Sequence, residues 1–127
     1  MGKRHIPAFL RQAALLCFNG QNEVALTSQA GKLSLPLINS ANEDTYSESI
    51  KKYCLDLQLK VDLKGIVRME IGNDLDHNYY RCIYYGETRQ DSKQNQLIFA
   101  SVDHKDIEPY TLGVIRGLIE RRKICHM

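Results

Sequence analysis

The sequence predicts one α+β domain with a mixed arrangement of strands and two main helices. Extended runs dominate the first third of the chain, a capped amphipathic helix follows, and a second helix closes the sequence. The predicted order of elements is ββ(β)–α–ββ–β–α. The 127 residues match the usual length of one domain, so we expect residues 1–127 to form a single unit.

The composition is that of an ordinary globular protein, with 43% hydrophobic and 25% charged residues. No apolar run is long enough to cross a bilayer, and the apolar stretch at residues 13–18 is too short for a signal peptide. We therefore expect an intracellular protein, cytoplasmic or nuclear, without a membrane partner. The net charge of +2 is too small to demand a nucleic-acid partner.

The cysteines indicate a reduced core and not a metal site. Cys17, Cys54 and Cys82 lie inside apolar runs, where a thiol behaves as a small hydrophobic group. Only Cys125 and His126 are adjacent, and a zinc site needs a cluster of such ligands.

The first strands are predicted from apolar runs and turn residues. Residues 11–18 are mostly apolar, and Asn19-Gly20 is a dipeptide that readily adopts the positive φ angles of a tight turn before residues 23–27. This pattern predicts a β-hairpin. Residues 31–38 form a third extended segment with three leucines on one face: Leu33, Leu35 and Leu37. Pro36 indicates an edge strand or a strand end.

The first helix begins at a recognisable cap. Thr45 and Glu48 have the spacing of a capping box, in which each side chain accepts from the other residue's backbone N–H. Residues at helical spacing then form one apolar stripe: Tyr46, Ile50, Tyr53, Cys54 and Leu57.

The second half predicts a hairpin, a further strand and a helix. Residues 61–71 and 77–86 are rich in β-branched and aromatic residues, with a polar connection at 72–76. Alternation places Tyr79, Arg81, Ile83 and Tyr85 on one face and Tyr80, Cys82 and Tyr84 on the other. A strand is expected at residues 96–102. Pro109 begins a helix with an apolar stripe of Leu112, Ile115, Leu118 and Ile119.

Two glycines in the last helix, Gly113 and Gly117, each cost about 1 kcal/mol relative to alanine. Their presence predicts close approach of another element or a partner.

The segment Leu35-Pro36-Leu37-Ile38, the polar loop, the capped helix and the strand at 61–70 resemble the central part of a Nudix domain. The flanking strands and the closing helix agree with that order. The resemblance implies an α/β/α sandwich with a mixed sheet. In active relatives the helix carries Arg-Glu-apolar-x-Glu-Glu-x-Gly, whose carboxylates hold Mg²⁺ or Mn²⁺ against a pyrophosphate.

Most of that signature is replaced in this chain. An ungapped alignment on Pro36 puts the two glycines at Leu37 and Ile38, the loop glutamate at Asp44 and the arginine at Lys52. The helix glutamates fall on Tyr53, Asp56 and Leu57, and the final glycine on Leu59. One carboxylate out of three binds a hard divalent ion weakly, so the resemblance implies a degenerate Nudix box, no cofactor and lost or impaired hydrolysis.

Three functions remain open. The leading hypothesis is a Nudix-like module that binds a nucleotide-type ligand, RNA or a protein, with candidate contacts from Lys52, Tyr53, Arg68 and Tyr84. The alternative is an atypical hydrolase of nucleoside diphosphates linked to another moiety. Its Mg²⁺ or Mn²⁺ site would be rebuilt from Asp44, Asp56 and Glu108. The third is a structural subunit of a larger complex.

Overall fold

A computed structural model of the chain describes residues 9–74, 77–89 and 97–125, with backbone alone for residues 74, 77 and 122–125. Seven strands and two helices lie within these ranges. They are β1 (Phe9–Phe18), β2 (Glu23–Gln29), β3 (Lys32–Ser34), β4 (Leu37–Asn39), α1 (Tyr46–Asp56), β5 (Asp62–Asp74), β6 (His77–Glu87), β7 (Ile98–Ser101) and α2 (Pro109–Cys125).

The strands form one mixed sheet. The main order is β3-β2-β1-β6-β5, while β4 pairs with β1 and β7 with β2. Strands β1 and β6 run parallel over ten residues, from Phe9 opposite Asn78 to Phe18 opposite Glu87. The other strand pairs are antiparallel. This sheet confirms the predicted fold class.

The alternation of side chains along β1 divides the core into two layers. Ala14, Leu16 and Phe18 pack in the cluster that contains Val114, Ile115 and Leu118 of α2. Ala13, Leu15 and Cys17 pack on the opposite face, in the cluster that contains Ile50 and Cys54 of α1. The sheet therefore lies between the two helices, as expected for the α/β/α sandwich.

Helix α1 begins as the sequence predicts. The Thr45 hydroxyl accepts from the Glu48 backbone N–H at 3.1 Å, and the Glu48 carboxylate accepts from the Thr45 N–H at 3.4 Å. Ile50 and Cys54 are buried, and Tyr53 is partly buried against the same cluster. Neither described helix is long and apolar enough to cross a membrane.

The extended segment at residues 31–38 is divided in two around Pro36, as expected for a strand end, but the change of partner strand was not predicted. Strand β3 pairs with β2, whereas β4 pairs with β1, so the chain changes partner strand at Leu35-Pro36. Leu33 and Leu35 are buried, but Leu37 is 48% exposed. Leu37 still lies on the expected face, because it pairs with Ala14, which belongs to the same cluster as Leu33 and Leu35.

The first hairpin forms, but by a different turn. Asn19 and Gly20 have negative φ, and the positive φ of 60° falls on Asn22. The Asn19 side-chain oxygen accepts from the backbone N–H groups of Gln21 and Glu23, both at 3.0 Å. An asparagine that bonds the following backbone amides thus stabilises the turn.

The second hairpin and the last strand agree with the predictions apart from their ends. Strand β5 continues to Asp74, into the segment predicted as a connection, and β7 is shorter than the predicted 96–102. Strand β6 is followed by residues 88 and 89, and residues 90–96 lie outside the described ranges. Helix α2 begins at Pro109, and Ile115 and Leu118 are buried.

Three cysteines are free and buried, which confirms their predicted core role: Cys17, Cys54 and Cys82. Burial raises the pKa of the Cys17 thiol to about 12 and that of Cys54 to about 11. The side chains of Cys125 and His126 lie outside the described part of the chain.

The prediction of close approach at Gly113 and Gly117 is wrong within the described residues. A Cβ atom built at either glycine would meet no atom within 4 Å, and both residues are exposed.

Candidate functional site

The loop before α1 is tied to the helix by an ion pair. Lys52 Nζ lies 2.9 Å from Asp44 Oδ2, and the Asp44 side chain is only 15% exposed. The hydrogen bond to Asp44 and its charge raise the pKa of Lys52. Asp56, four residues further along α1, has the spacing of a helix ion pair with Lys52. The lysine instead holds the loop against the first turns of the helix.

Tyr53 and Leu57, at two positions where the resembled family has glutamate, face the core. Both pack against the buried cluster under α1. Burial raises the pKa of the Tyr53 phenol, so this group is neutral near pH 7. Asp56, the aligned helix position that keeps a carboxylate, is exposed.

The three acids of the rebuilt hydrolase site lie apart. Asp44 and Asp56 stand at opposite ends of α1, whose 11 residues span about 16 Å. Glu108 lies beside the start of α2, on the other face of the sheet, where its Oε1 accepts from the Thr111 N–H and hydroxyl at 2.9 and 2.5 Å. Among the described residues no group of three or more His, Cys, Asp or Glu is placed to hold a metal ion.

A groove of about 280 Å³ lies beside Tyr53, between the end of β2 and the connection from β3 to β4. Its lining contains no charged residue. The lining residues are Thr27, Ser28, Gln29, Ser34, Leu35, Pro36, Leu37 and Tyr53. The groove therefore offers hydroxyl and amide groups for hydrogen bonds, together with one aromatic ring.

A larger cavity of about 690 Å³ lies at the carboxyl ends of β1 and β6. Its lining mixes cations with acids, and Lys64 Nζ is paired with Asp62 Oδ2 at 2.8 Å. We assign no ligand to this cavity, because the chain continues from Arg89 on its rim into residues 90–96, outside the described ranges.

A polar cluster that the sequence analysis missed lies on the α2 face of the sheet. Its centre is Arg81, which is 9% exposed. The Arg81 Nε and Nη2 atoms donate to Gln12 Oε1 at 3.1 and 2.8 Å. The guanidinium carbon lies 4.3 Å from the centre of the Tyr79 ring and 5.2 Å from that of Tyr110. Arg81 Nη1 is 3.6 Å from Glu70 Oε1.

Glu70 joins a second arginine and a tyrosine to this cluster. The Tyr110 hydroxyl donates to Glu70 Oε1, and burial together with this bond raises the pKa of Tyr110. Arg68 Nε lies 2.9 Å from Glu70 Oε2. That contact is an ion pair without an aligned hydrogen bond, because Nε makes none. The Glu70 carboxylate thus offsets one of the two positive charges of this cluster.

The four candidate ligand-binding residues do not form one site. Arg68 is paired across β5 and β6 with Ile83 on the α2 face, whereas Tyr84 packs with the cluster on the α1 face. Lys52 is bound to Asp44. Of the four, Tyr53 alone lines the uncharged groove.

Thr111 joins the start of α2 to the segment that borders the groove. Its hydroxyl accepts from the buried Leu35 N–H at 3.0 Å and donates to Glu108.

Thr111→Val keeps the shape but removes the acceptor, so we expect the free energy of unfolding to fall by about 2 kcal/mol in urea denaturation. Thr27→Val is the control, because that hydroxyl is only half-buried and should matter by less than about 1 kcal/mol. Equal losses of unfolding free energy in the two variants would contradict a stabilising role for the Thr111 hydroxyl.

Several solved structures have a similar fold. The MutT protein from Methanosarcina mazei Go1 superposes with a TM-score of 0.72 at 12% identity, over 91% of this chain and 97% of that one. The E. coli ORF135 protein superposes with a TM-score of 0.70 at 10% identity, over 95% of this chain and 96% of that one. A Nudix hydrolase from Nitrosomonas europaea superposes with a TM-score of 0.68 at 12% identity, over 89% of this chain and 90% of that one.

The described chain therefore has the fold of the Nudix hydrolases, with a mixed sheet between two helices. At these identities the similarity establishes the fold alone. No protein-family model matches the sequence. A search of curated proteins finds no match either.

Proposed function

We propose that this protein is a Nudix-fold module that binds a nucleotide-type ligand without hydrolysing it. The supporting observation is the state of the helix that carries the metal ligands in the resembled family. Tyr53 and Leu57 pack into the core, and the groove beside them is lined entirely by uncharged residues.

The residues present do not fit a catalytic Mg²⁺ or Mn²⁺. These ions need several oxygen ligands in one tight shell. Asp56 is a single exposed carboxylate, Asp44 is bound to Lys52, and Glu108 accepts from Thr111 on the other side of the sheet. We therefore assign no metal-dependent step to this chain.

The lining favours the nucleoside part of a nucleotide over its phosphates. A phosphate chain carries negative charges that need cations or metal, and the groove supplies neither. Hydroxyl and amide groups can bond a sugar or base edge, and the Tyr53 ring can stack on a base. Such stacking contributes about 1–3 kcal/mol per base.

A thermal-shift screen tests the proposal. Nucleosides and their triphosphates are compared at equal concentration, with and without Mn²⁺. At a concentration of 100 Kd a ligand of the native state stabilises it by about 2.7 kcal/mol. We expect nucleosides to raise Tm to the same extent with and without Mn²⁺, and Tyr53→Leu to abolish the shift.

Tyr46→Leu is the matched control, since Tyr46 lies on the same helix under the Arg11 guanidinium and does not line the groove. A parallel screen follows hydrolysis of ADP-ribose, dinucleoside polyphosphates, capped RNA and deoxynucleoside triphosphates. Mn²⁺-dependent turnover that disappears in Asp56→Ala would favour the atypical hydrolase instead. An absence of any nucleoside shift would also contradict the proposal.

A further inference from the structure

Strand β5 forms one edge of the sheet. It pairs with β6 on one side, and no described strand lies on its other side. Its first half is irregular, with register shifts between Leu63 and Gly65 and between Ile66 and Arg68. Its second half, residues 68–74, pairs with β6 without interruption. A long, regular open edge is a template for pairing with another strand.

The same half of β5 exposes large apolar side chains. Met69 is 63% exposed and Ile71 is 76% exposed, and both lie on the α1 face. Beside Ile71 on that face, Tyr80 of β6 stacks on Phe9 of β1 with 4.6 Å between ring centres. Contiguous exposed apolar groups of this kind mark interaction surfaces.

We propose that residues 68–74 of β5 pair antiparallel with the same residues of a second copy of this chain, about a two-fold axis at Ile71. The pairing would satisfy the open backbone edge and bring the two Ile71 side chains into contact. It would also join the apolar faces of the two copies into one surface.

The charges on β5 favour this register. With Ile71 opposite Ile71 of the second copy, Arg68 of each copy stands opposite Asp74 of the other, so this pair of opposite charges occurs twice. A shift of the axis to residue 70 would set Glu70 against Glu70, and a shift to residue 72 would set Glu70 against Asp74. Like charges directly opposite one another destabilise a strand pair. An axis at Met69 would extend the pairing into the irregular half of the strand.

Sedimentation equilibrium of the full chain tests the proposal. We expect a reversible dimer in the wild type, and Ile71→Lys should raise the dimer dissociation constant at least about ten-fold, because it places two ammonium groups at the axis. Ile98→Lys is the matched control, since Ile98 is an exposed apolar residue of β7, away from β5. A monomeric wild type, or equal effects of the two lysines, would overturn the proposal.

Cysteine cross-linking tests the register. Opposed residues of an antiparallel pair have Cβ atoms about 4.5–5.5 Å apart, near disulfide range. In a Cys125→Ser background, Ile71→Cys should form a disulfide-linked dimer on mild oxidation, whereas Asn73→Cys, opposite Met69 of the second copy, should form several-fold less. Preferential cross-linking of Asn73→Cys would rule out the Ile71 axis.

Discussion

Arg81→Met is expected to lower the free energy of unfolding by about 3 kcal/mol, measured by urea denaturation at neutral pH. The arginine is buried, bonded to Gln12 by two N–H groups and covered by the rings of Tyr79 and Tyr110. Methionine fills much of the same space but leaves Gln12 without these donors. It also removes one of the two cations that face the partly buried Glu70.

Arg68→Met is the internal control for this prediction. Arg68 contacts the same carboxylate, but its side chain is 40% exposed. When Arg68 is replaced, water can therefore solvate Glu70 in place of much of the lost ion pair. We expect a loss of no more than about 1 kcal/mol. If the two substitutions cost the same, burial of Arg81 would not be the source of its stabilising effect.

Tyr53→Glu combined with Leu57→Glu is expected to make the stability of the protein depend on Mn²⁺. The double variant places three carboxylates on α1, counting Asp56, at the positions where the resembled family has its glutamates. Without metal it should lose about 2–4 kcal/mol of unfolding free energy, because two charges replace groups that pack on the core. Mn²⁺ at a concentration of 100 times its Kd should restore about 2.7 kcal/mol of unfolding free energy to the double variant. The unfolding free energy of the wild type should not change with Mn²⁺.

Leu55→Glu controls for added negative charge on the same helix, because Leu55 is 77% exposed. It should change stability little and respond little to Mn²⁺. A wild-type chain that Mn²⁺ stabilises as strongly as the double variant would show that the family's metal site survives in another form.

Local patterns predicted the elements accurately where short-range physics decides. The capping box at Thr45 and Glu48 and the proline at the start of α2 determine helix ends through contacts within one turn. The alternation of β6 correctly separated Tyr79 and Arg81 from Tyr80 and Cys82. It did not reveal that Arg81 is buried, because the bonding partner, Gln12, is 69 residues distant and lies on a parallel strand.

The candidate site was predicted less completely. Replacement of the helix glutamates could be seen in the sequence, but the pairing of Lys52 with Asp44 could not. That choice depends on the path of the loop. Likewise, the sequence indicated a strand end at Pro36 but not that the chain changes partner strand there. A close contact cannot be inferred from the cost of a helix glycine alone either, since no described residue comes within 4 Å of a Cβ atom built at Gly113.

The sequence by itself determined the order of the elements apart from the change of partner strand at Pro36, the starts of both helices and the absence of two helix carboxylates, because these depend on residue identity and on neighbours within a few positions. Only the tertiary structure decided that an uncharged groove forms beside Tyr53, that Arg81 is enclosed and that half of β5 remains an open edge. Each of these requires strands far apart in the chain to meet, and strand order is set by the packing of the whole sheet against its two helices.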